Sequence, residues 1–325
     1  MKLKALLLGS AAAMIAVSGA NAADAVVAEP EPMDYVKVCD MYGAGFFYIP
    51  GTENCLRMSG YVRAEWDYSH FDGVGNADSE VMGNIITGRV NFDVRNETDY
   101  GTLQSWIRWE SSRNNSTGAD VSNAVALNDA WITLGNLSMG VRDHRATLAA
   151  LPGGPFDGDD QGLGDAYYVD YTFAANGLAV IVGVATQAAA DNANVYLRAD
   201  YSGDMYNIAA SITHINDNGA NNDQQNYNIW GNITPVDGLT IQGYYNDNSL
   251  SGNNGRWGIG ASYALMDNVS IAAGYWDTDG TGTGYFGQVS WDVAPGLNVI
   301  LAAEEKDNDT NIDETSFRVR VTRSF

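Results

Sequence analysis

At 325 residues, with 40 acidic against 17 basic side chains, the chain carries a formal charge of −23. That excludes nucleic acid as a partner, because phosphate recognition needs a basic footprint. Only 18% of residues are charged, Gly (36), Tyr (18) and Trp (8) are plentiful and Pro (7) is scarce, a balance that favours strands over helices.

The first element is a targeting segment. Lys2 and Lys4 precede an apolar run over 5–17, and Ala20-Asn21-Ala22 forms a small-residue cleavage site, so residues 1–22 read as a signal peptide and the mature chain as 23–325. A membrane anchor is the competing reading, but spanning needs about 18 or more apolar residues, and Lys4 and the polar 18–21 stretch interrupt this one. The leader contains two lysines and no acid, so its removal moves the formal charge from −23 to −25. Downstream, the longest apolar run is 178–184, far too short for a membrane helix.

Residues 23–55 form an N-terminal segment containing the only cysteines, Cys39 and Cys55. In an oxidising compartment a disulfide is the default. A metal site is the alternative, but it needs four ligands, and no His lies near these two.

From residue 56 to 325 the pattern is alternation. Over 56–68, Leu56, Met58, Gly60, Val62, Ala64, Trp66 and Tyr68 share one face; Arg57, Ser59, Tyr61, Arg63, Glu65 and Asp67 share the other. Side chains of a strand point alternately to opposite faces, so this is a strand with one apolar and one strongly polar side. The pattern recurs over 86–97 and 103–110, and again at the far end, where Phe317, Val319 and Val321 oppose Arg318, Arg320 and Thr322. Turn signals such as Asn176-Gly177, Asp237-Gly238 and Pro295-Gly296 alternate with longer polar stretches near 70–84, 111–126, 143–165, 187–194, 214–224, 247–256, 277–284 and 306–314. Eight long loops joined by seven tight turns predict about sixteen strands, with short turns at one end and long loops at the other.

The fold class expected is therefore all-β: a transmembrane antiparallel barrel. Backbone in lipid must satisfy its hydrogen bonds internally, so only helices or closed barrels span, and sixteen strands leave a water-filled interior. A soluble sandwich or solenoid also alternates. Strands near ten residues, a terminal Phe325 and aromatic residues recurring as Trp66/Tyr68, Tyr244/Tyr245, Trp257, Tyr275/Trp276 and Trp291 favour the barrel, the aromatics as an interfacial girdle. Alternation sends Arg57, Arg63, Arg89, Arg95, Arg108, Arg198, Arg318 and Arg320 inward, with Trp106, Trp131, Tyr168 and Trp230.

The segment 35–63 resembles the alphaproteobacterial general porins, through Val38-Cys39-Asp40, Tyr42-Gly-Ala-Gly-Phe46, Tyr48-Ile-Pro-Gly-Thr52, Cys55-Leu-Arg57 and Gly60-Tyr-Val-Arg63. The resemblance implies passive diffusion of small hydrophilic solutes and ions across the outer membrane, a homotrimer in contact with lipid and lipopolysaccharide, and a third loop folded into the lumen as a constriction. That loop would be 141–166, which carries Asp143, Asp157, Asp159, Asp160, Asp165 and a Pro/Gly bend at 151–155; Gly153 to Asp157 is similar to the acidic loop tip of many porins. Acids on the loop facing arginines on the wall create a transverse field, and rings of charge set ion selectivity in narrow pores. The set expected is Arg63, Arg89 and Arg108 opposite Asp157, Asp159 and Asp160. The inward arginines oppose the overall negative charge, and the balance points to weak cation selectivity.

A sugar-selective channel with an aromatic track, and a structural barrel without a pore, are the other readings. No catalytic site, cofactor or metal is expected. The GxGxxG match at 282–287 precedes a strand rather than a helix. The Asp pairs at 277–279 and 307–309 lack the spacing of a calcium loop. His70, His144 and His214 form no zinc pair, and no Ser stands out as a nucleophile.

Overall fold

The computed structural model describes residues 37–73, 79–114, 125–148, 151, 164–187, 193–215, 224–248, 255–308 and 312–325. A single 3-10 turn (Asp40–Tyr42) and a two-residue strand, β1 (Phe47–Tyr48), come first. Sixteen long strands follow: β2 (Cys55–Gly73), β3 (Ser79–Thr98), β4 (Gly101–Asn114), β5 (Ala126–Leu134), β6 (Leu137–Asp143), β7 (Asp165–Ala175), β8 (Leu178–Gln187) and β9 (Asn194–Ser202), then β10 (Tyr206–Ile215), β11 (Gln224–Val236), β12 (Leu239–Asn248), β13 (Arg256–Met266), β14 (Val269–Thr278), β15 (Gly282–Ala294), β16 (Leu297–Asn308) and β17 (Ile312–Ser324).

Each strand from β2 onward pairs antiparallel with the next. The last closes on the first, in register from Ile312↔Gly73 to Ser324↔Tyr61. Beyond that register Gly60 and Phe325 exchange two backbone hydrogen bonds of 3.0 Å. Closure leaves no sheet edge among these sixteen strands, which backbone surrounded by lipid requires. At one end of the barrel the turns are tight. Asn176 (φ 51°) and Gly177 (φ 81°) both adopt left-handed dihedrals, the type I′ geometry that matches the twist of a two-residue hairpin.

The two faces are the reverse of those of a soluble sandwich. Met58, Val62, Ile86, Trp109, Ile132, Val169, Leu197, Ile229, Leu301 and Phe317 are exposed on the outside. Among the described residues, half of the buried ones are polar or charged, including Glu65, Thr87, Asp93, Asp129, Asp170, Asn194, Thr213, Asn226 and Asn228. An apolar exterior around a polar interior suits a barrel whose solvent outside is hydrocarbon and whose solvent inside is water.

Three sequence expectations need correction. The strands are not uniformly near ten residues: β2 has 19 and β3 has 20. Residues 70–73 and 79–84, expected as loop, keep their ladder bonds with their neighbours, and the stretches at 277–284 and 306–314 contract likewise to short connections. Finally, Tyr244 and Trp276 do not belong to the outer girdle. Tyr244 is buried, and both rings lie under the Arg256 guanidinium, Trp276 at 4.8 Å and Tyr244 at 6.0 Å. Parity sends their neighbours Tyr245 and Tyr275 outward instead, where Tyr275 meets Trp257 at 5.4 Å.

Candidate functional site

The lumen wall over β17 and β2 to β5 is built from arginines whose partners are carboxylates of the same wall. Arg63 pairs with Glu65 at 2.9 Å, two residues along the same strand and so on the same face. Glu65 also takes Arg320 at 2.7 Å, and Asp67 takes Arg318 at 2.5 Å, because register sets Glu65 against Arg320 and Asp67 against Arg318. Arg89 pairs with Glu110. The Tyr61 hydroxyl donates to that carboxylate at 3.3 Å, while its ring lies 4.9 Å from the Arg89 guanidinium and 5.2 Å from that of Arg63.

Arg108 reaches Asp129 at 2.9 Å, and this pair depends on a backbone irregularity. Arg108 is registered with Asp129 but Trp109 with Leu127, so Asn128 is the extra residue of a β-bulge. Without the bulge Leu127 and Asp129 would share a face. With it, Leu127 is exposed outside and Asp129 is buried inside. Nearer the tight-turn end, Asp93, 1% exposed, accepts from Arg57 at 3.2 Å, from Arg95 at 2.9 and 2.7 Å and from Gln104 at 2.8 Å. A carboxylate so enclosed is sustained by its donors, and removing them would strand a buried charge.

The two cysteines form a disulfide, which ties residues 39–54 to this end of the barrel. Phe46, buried against it, has the guanidinium carbons of Arg57 and Arg95 at 4.9 and 5.1 Å. Tyr42 donates to Glu97 at 2.9 Å. Tyr42 and Phe46 therefore lie on inward-facing side chains of β2 and β3.

The connection after β6 enters the lumen. The Arg145 guanidinium donates to Asp170 at 2.8 Å, whose same oxygen accepts from Tyr196 at 2.7 Å. The Ala146 carbonyl accepts from Ser211 at 2.5 Å and Asn228 at 3.3 Å. Arg198 donates to the carbonyls of Arg145 and Thr147 at 3.0 and 3.1 Å. His144 accepts at Nδ1 from the Ala146 amide at 3.1 Å and packs edge-on against Tyr196 at 5.1 Å. Burial lowers its pKa to about 4, so the ring is neutral near pH 7. Further on, Leu151 packs against Tyr244 and Phe286, with Trp230 beside them. Residues 144–148 and 151 thus lie on the inner wall, hooked to β7, β9, β10 and β11 and then to β12 and β15.

Of the residues singled out in the sequence, Arg63, Arg89 and Arg108 occupy adjacent strands of one wall. Asp157, Asp159 and Asp160 lie outside the described residues. The arginines' partners Glu65, Glu110 and Asp129, and Tyr61 between them, are not among the site residues expected from the sequence, although alternation puts Tyr61 and Glu65 on the same face as Arg63. Same-face spacing from Arg63 was signal enough for Glu65; nothing in the alternation could announce the bulge that turns Asp129 inward.

A closed sixteen-strand barrel with an apolar exterior, a charged lumen and a connection folded into that lumen defines an outer-membrane porin. The comparisons agree. A family model described as "Porin subfamily" matches residues 24–312. The chain is 30% identical to Porin Omp2a of Brucella suis biovar 1 (strain 1330), over 100% of both chains, and 31% identical to Porin Omp2b of Brucella neotomae, over 92% of this chain and 91% of that one. Two solved structures share the fold. The outer membrane channel DcaP of Acinetobacter baumannii has a TM-score of 0.67 at 12% identity, covering 86% of this chain and 99% of that one. A mutant of Rh. blastica porin has a TM-score of 0.57 at 19% identity, covering 83% and 100%. The chain belongs to the alphaproteobacterial general porin family, and it is a general diffusion channel of the outer membrane.

Proposed function

We propose that solute and ion passage is governed by a transverse field at one level of the lumen, with Arg63, Arg89 and Arg108 as its positive pole and Asp157, Asp159 and Asp160 of the inward connection as its negative pole. One observation carries this reading: the arginines are gathered on β2, β3 and β4, while residues 144–148 are hooked to β7 and β9 to β11, on another stretch of the wall. Partner carboxylates temper the positive pole. Arg57, Arg63, Arg89, Arg95, Arg108, Arg318 and Arg320 face Glu65, Asp67, Asp93, Glu110 and Asp129, leaving seven cations to five anions. A field moderated in this way suits a channel that passes small hydrophilic solutes without chemical choice and favours cations weakly. The working unit is a homotrimer.

Planar-bilayer recording tests each part. Conductance should rise in triplet steps. Replacing Arg63, Arg89 and Arg108 together by Gln should shift the zero-current potential in a salt gradient toward stronger cation preference; replacing Asp157, Asp159 and Asp160 by Asn should shift it the opposite way. If neither set moves that potential in a conducting channel, these residues are not the selectivity pole, and single steps instead of triplets would count against the trimer. A second reading, sugar preference, is favoured by the stacked indoles of Trp106 and Trp131.

A further inference from the structure

The arginine wall is bordered, on its tight-turn side, by an aromatic surface. Trp106 on β4 and Trp131 on β5 are direct cross-strand partners. Their rings stack with centroids 5.9 Å apart and planes within 9°. Both project into the lumen, since they share parity with Arg108 and Asp129, and both remain partly exposed. An indole pair of this size inside a water-filled lumen keeps apolar area wet, which is costly unless something covers it.

The backbone is shaped to hold it. Gly140 on β6 is registered with Trp131. It has φ +151°, and a Cβ there would lie 2.5 Å from the Trp131 Cβ and 2.2 Å from the Ala130 carbonyl oxygen, so only glycine admits Trp131 in this place. Around the rings, polar groups alternate in kind. Arg142 holds its guanidinium 5.5 Å from the Trp131 ring. Along β4 the pair is flanked by Gln104 and Arg108, and along β5 by Asp129 and Thr133. Gln104 and Arg108 are engaged with Asp93 and Asp129 respectively.

We propose that Trp106 and Trp131 form a stacking subsite for a pyranose ring, with the partly exposed Arg142, Arg108, Gln104 and Thr133 hydrogen-bonding its hydroxyls, so that the channel retains saccharides briefly during passage. A pyranose presents a flat C–H face that lies on an indole and equatorial hydroxyls that need donors and acceptors in turn; a fixed, partly exposed aromatic surface bordered by both kinds of group complements it. A neutral solute also suits charges that are already paired, because it requires none to be released.

The inference rests on the channel reading and can fail separately from it. Maltotriose is the probe. Added to the wild-type trimer in a planar bilayer at millimolar concentration, it should produce concentration-dependent current interruptions that an equally sized polyethylene glycol does not. Trp106→Ala should weaken the apparent affinity about tenfold while leaving the sugar-free conductance close to wild type, and Trp106→Phe should restore part of it. Retained conductance certifies that each variant is folded. Conductance without sugar-dependent interruptions, or interruptions of equal strength in Trp106→Ala, would overturn the subsite while leaving the diffusion channel intact. Interruptions by benzoate but not by maltotriose would overturn the saccharide assignment, leaving the aromatic surface as a binder of planar anions. Absence of any conductance would count against the channel itself.

Discussion

At the scale of single residues, His144 holds the root of the inward connection. Its Nδ1 is occupied by the Ala146 amide, its Nε2 is buried without a hydrogen-bond partner, and two arginines stand close by in the chain or across the root, Arg145 and Arg198. Burial penalises the charged form of such a ring, which is why its pKa falls to about 4. The sign follows from linkage. In a released loop the ring would titrate near 6.5, so between about pH 6.5 and 4 the released state binds more protons, and docking weakens as pH falls through that window. Other titrating groups face the same root: Asp170 and Tyr196 from the wall, with Asp143 and Asp165 at the adjoining strand ends. The expected outcome is current that becomes noisier on acidification from pH 6.5 to 4, and a His144→Phe variant, which keeps the ring's packing but cannot titrate, should lose most of that change. Equal acid sensitivity in both proteins would assign the effect to the carboxylates.

At the scale of elements, the N-terminal segment is held by three kinds of contact: the Cys39–Cys55 disulfide, the β1–β2 pairing and the burial of Phe46 between two guanidiniums. A loop of this length contributes about 3 kcal/mol through its cross-link, a local rather than a global stabilisation. Cys39→Ser with Cys55→Ser should therefore make residues 38–54 cleavable by added protease while the barrel keeps its resistance to heat in detergent. Unchanged cleavage would mean that Phe46 and β1 suffice. The same scale shows what sequence can deliver. Alternation over 56–68 and 86–97 placed the inward arginines correctly, because period two is a rigid geometric fact of strands. It could not find strand ends, since polar residues remain in the ladder as readily as they leave it. It also could not separate adjacent aromatics such as Tyr244 and Tyr245, where one step of parity decides between lumen and lipid. Asp129 was hidden for a third reason: a bulge resets parity mid-strand, and Leu127-Asn128-Asp129 has no residue that marks it.

At the scale of the whole molecule, a formal charge of −23 contrasts with an arginine wall over β17 and β2 to β5 that carries seven cations to five anions. The two act over different distances. Fields from charges beyond the narrowest level are screened over about 10 Å at 0.1 M salt and about 3 Å at 1 M, whereas paired charges at the wall act on an ion in near contact. Cation preference should therefore be clear in dilute salt and shrink as the salt rises to 1 M, measured as the zero-current potential at a fixed concentration ratio. A preference that persists undiminished at 1 M would place its origin in close contact at the narrowest level rather than in the summed field.

Arg320 and Glu65 meet at 2.7 Å although 255 positions separate them in the chain, because the barrel closes there. Replacing Glu65 alone removes the carboxylate that Arg63, Arg318 and Arg320 share, so a compensated change there involves both ends of the gene. Such positions drift together or not at all. Across descendants of this chain, the seam between β2 and β17 should be written as correlated substitutions joining the first barrel strand to the last, a record in inheritance of where the cylinder was sealed.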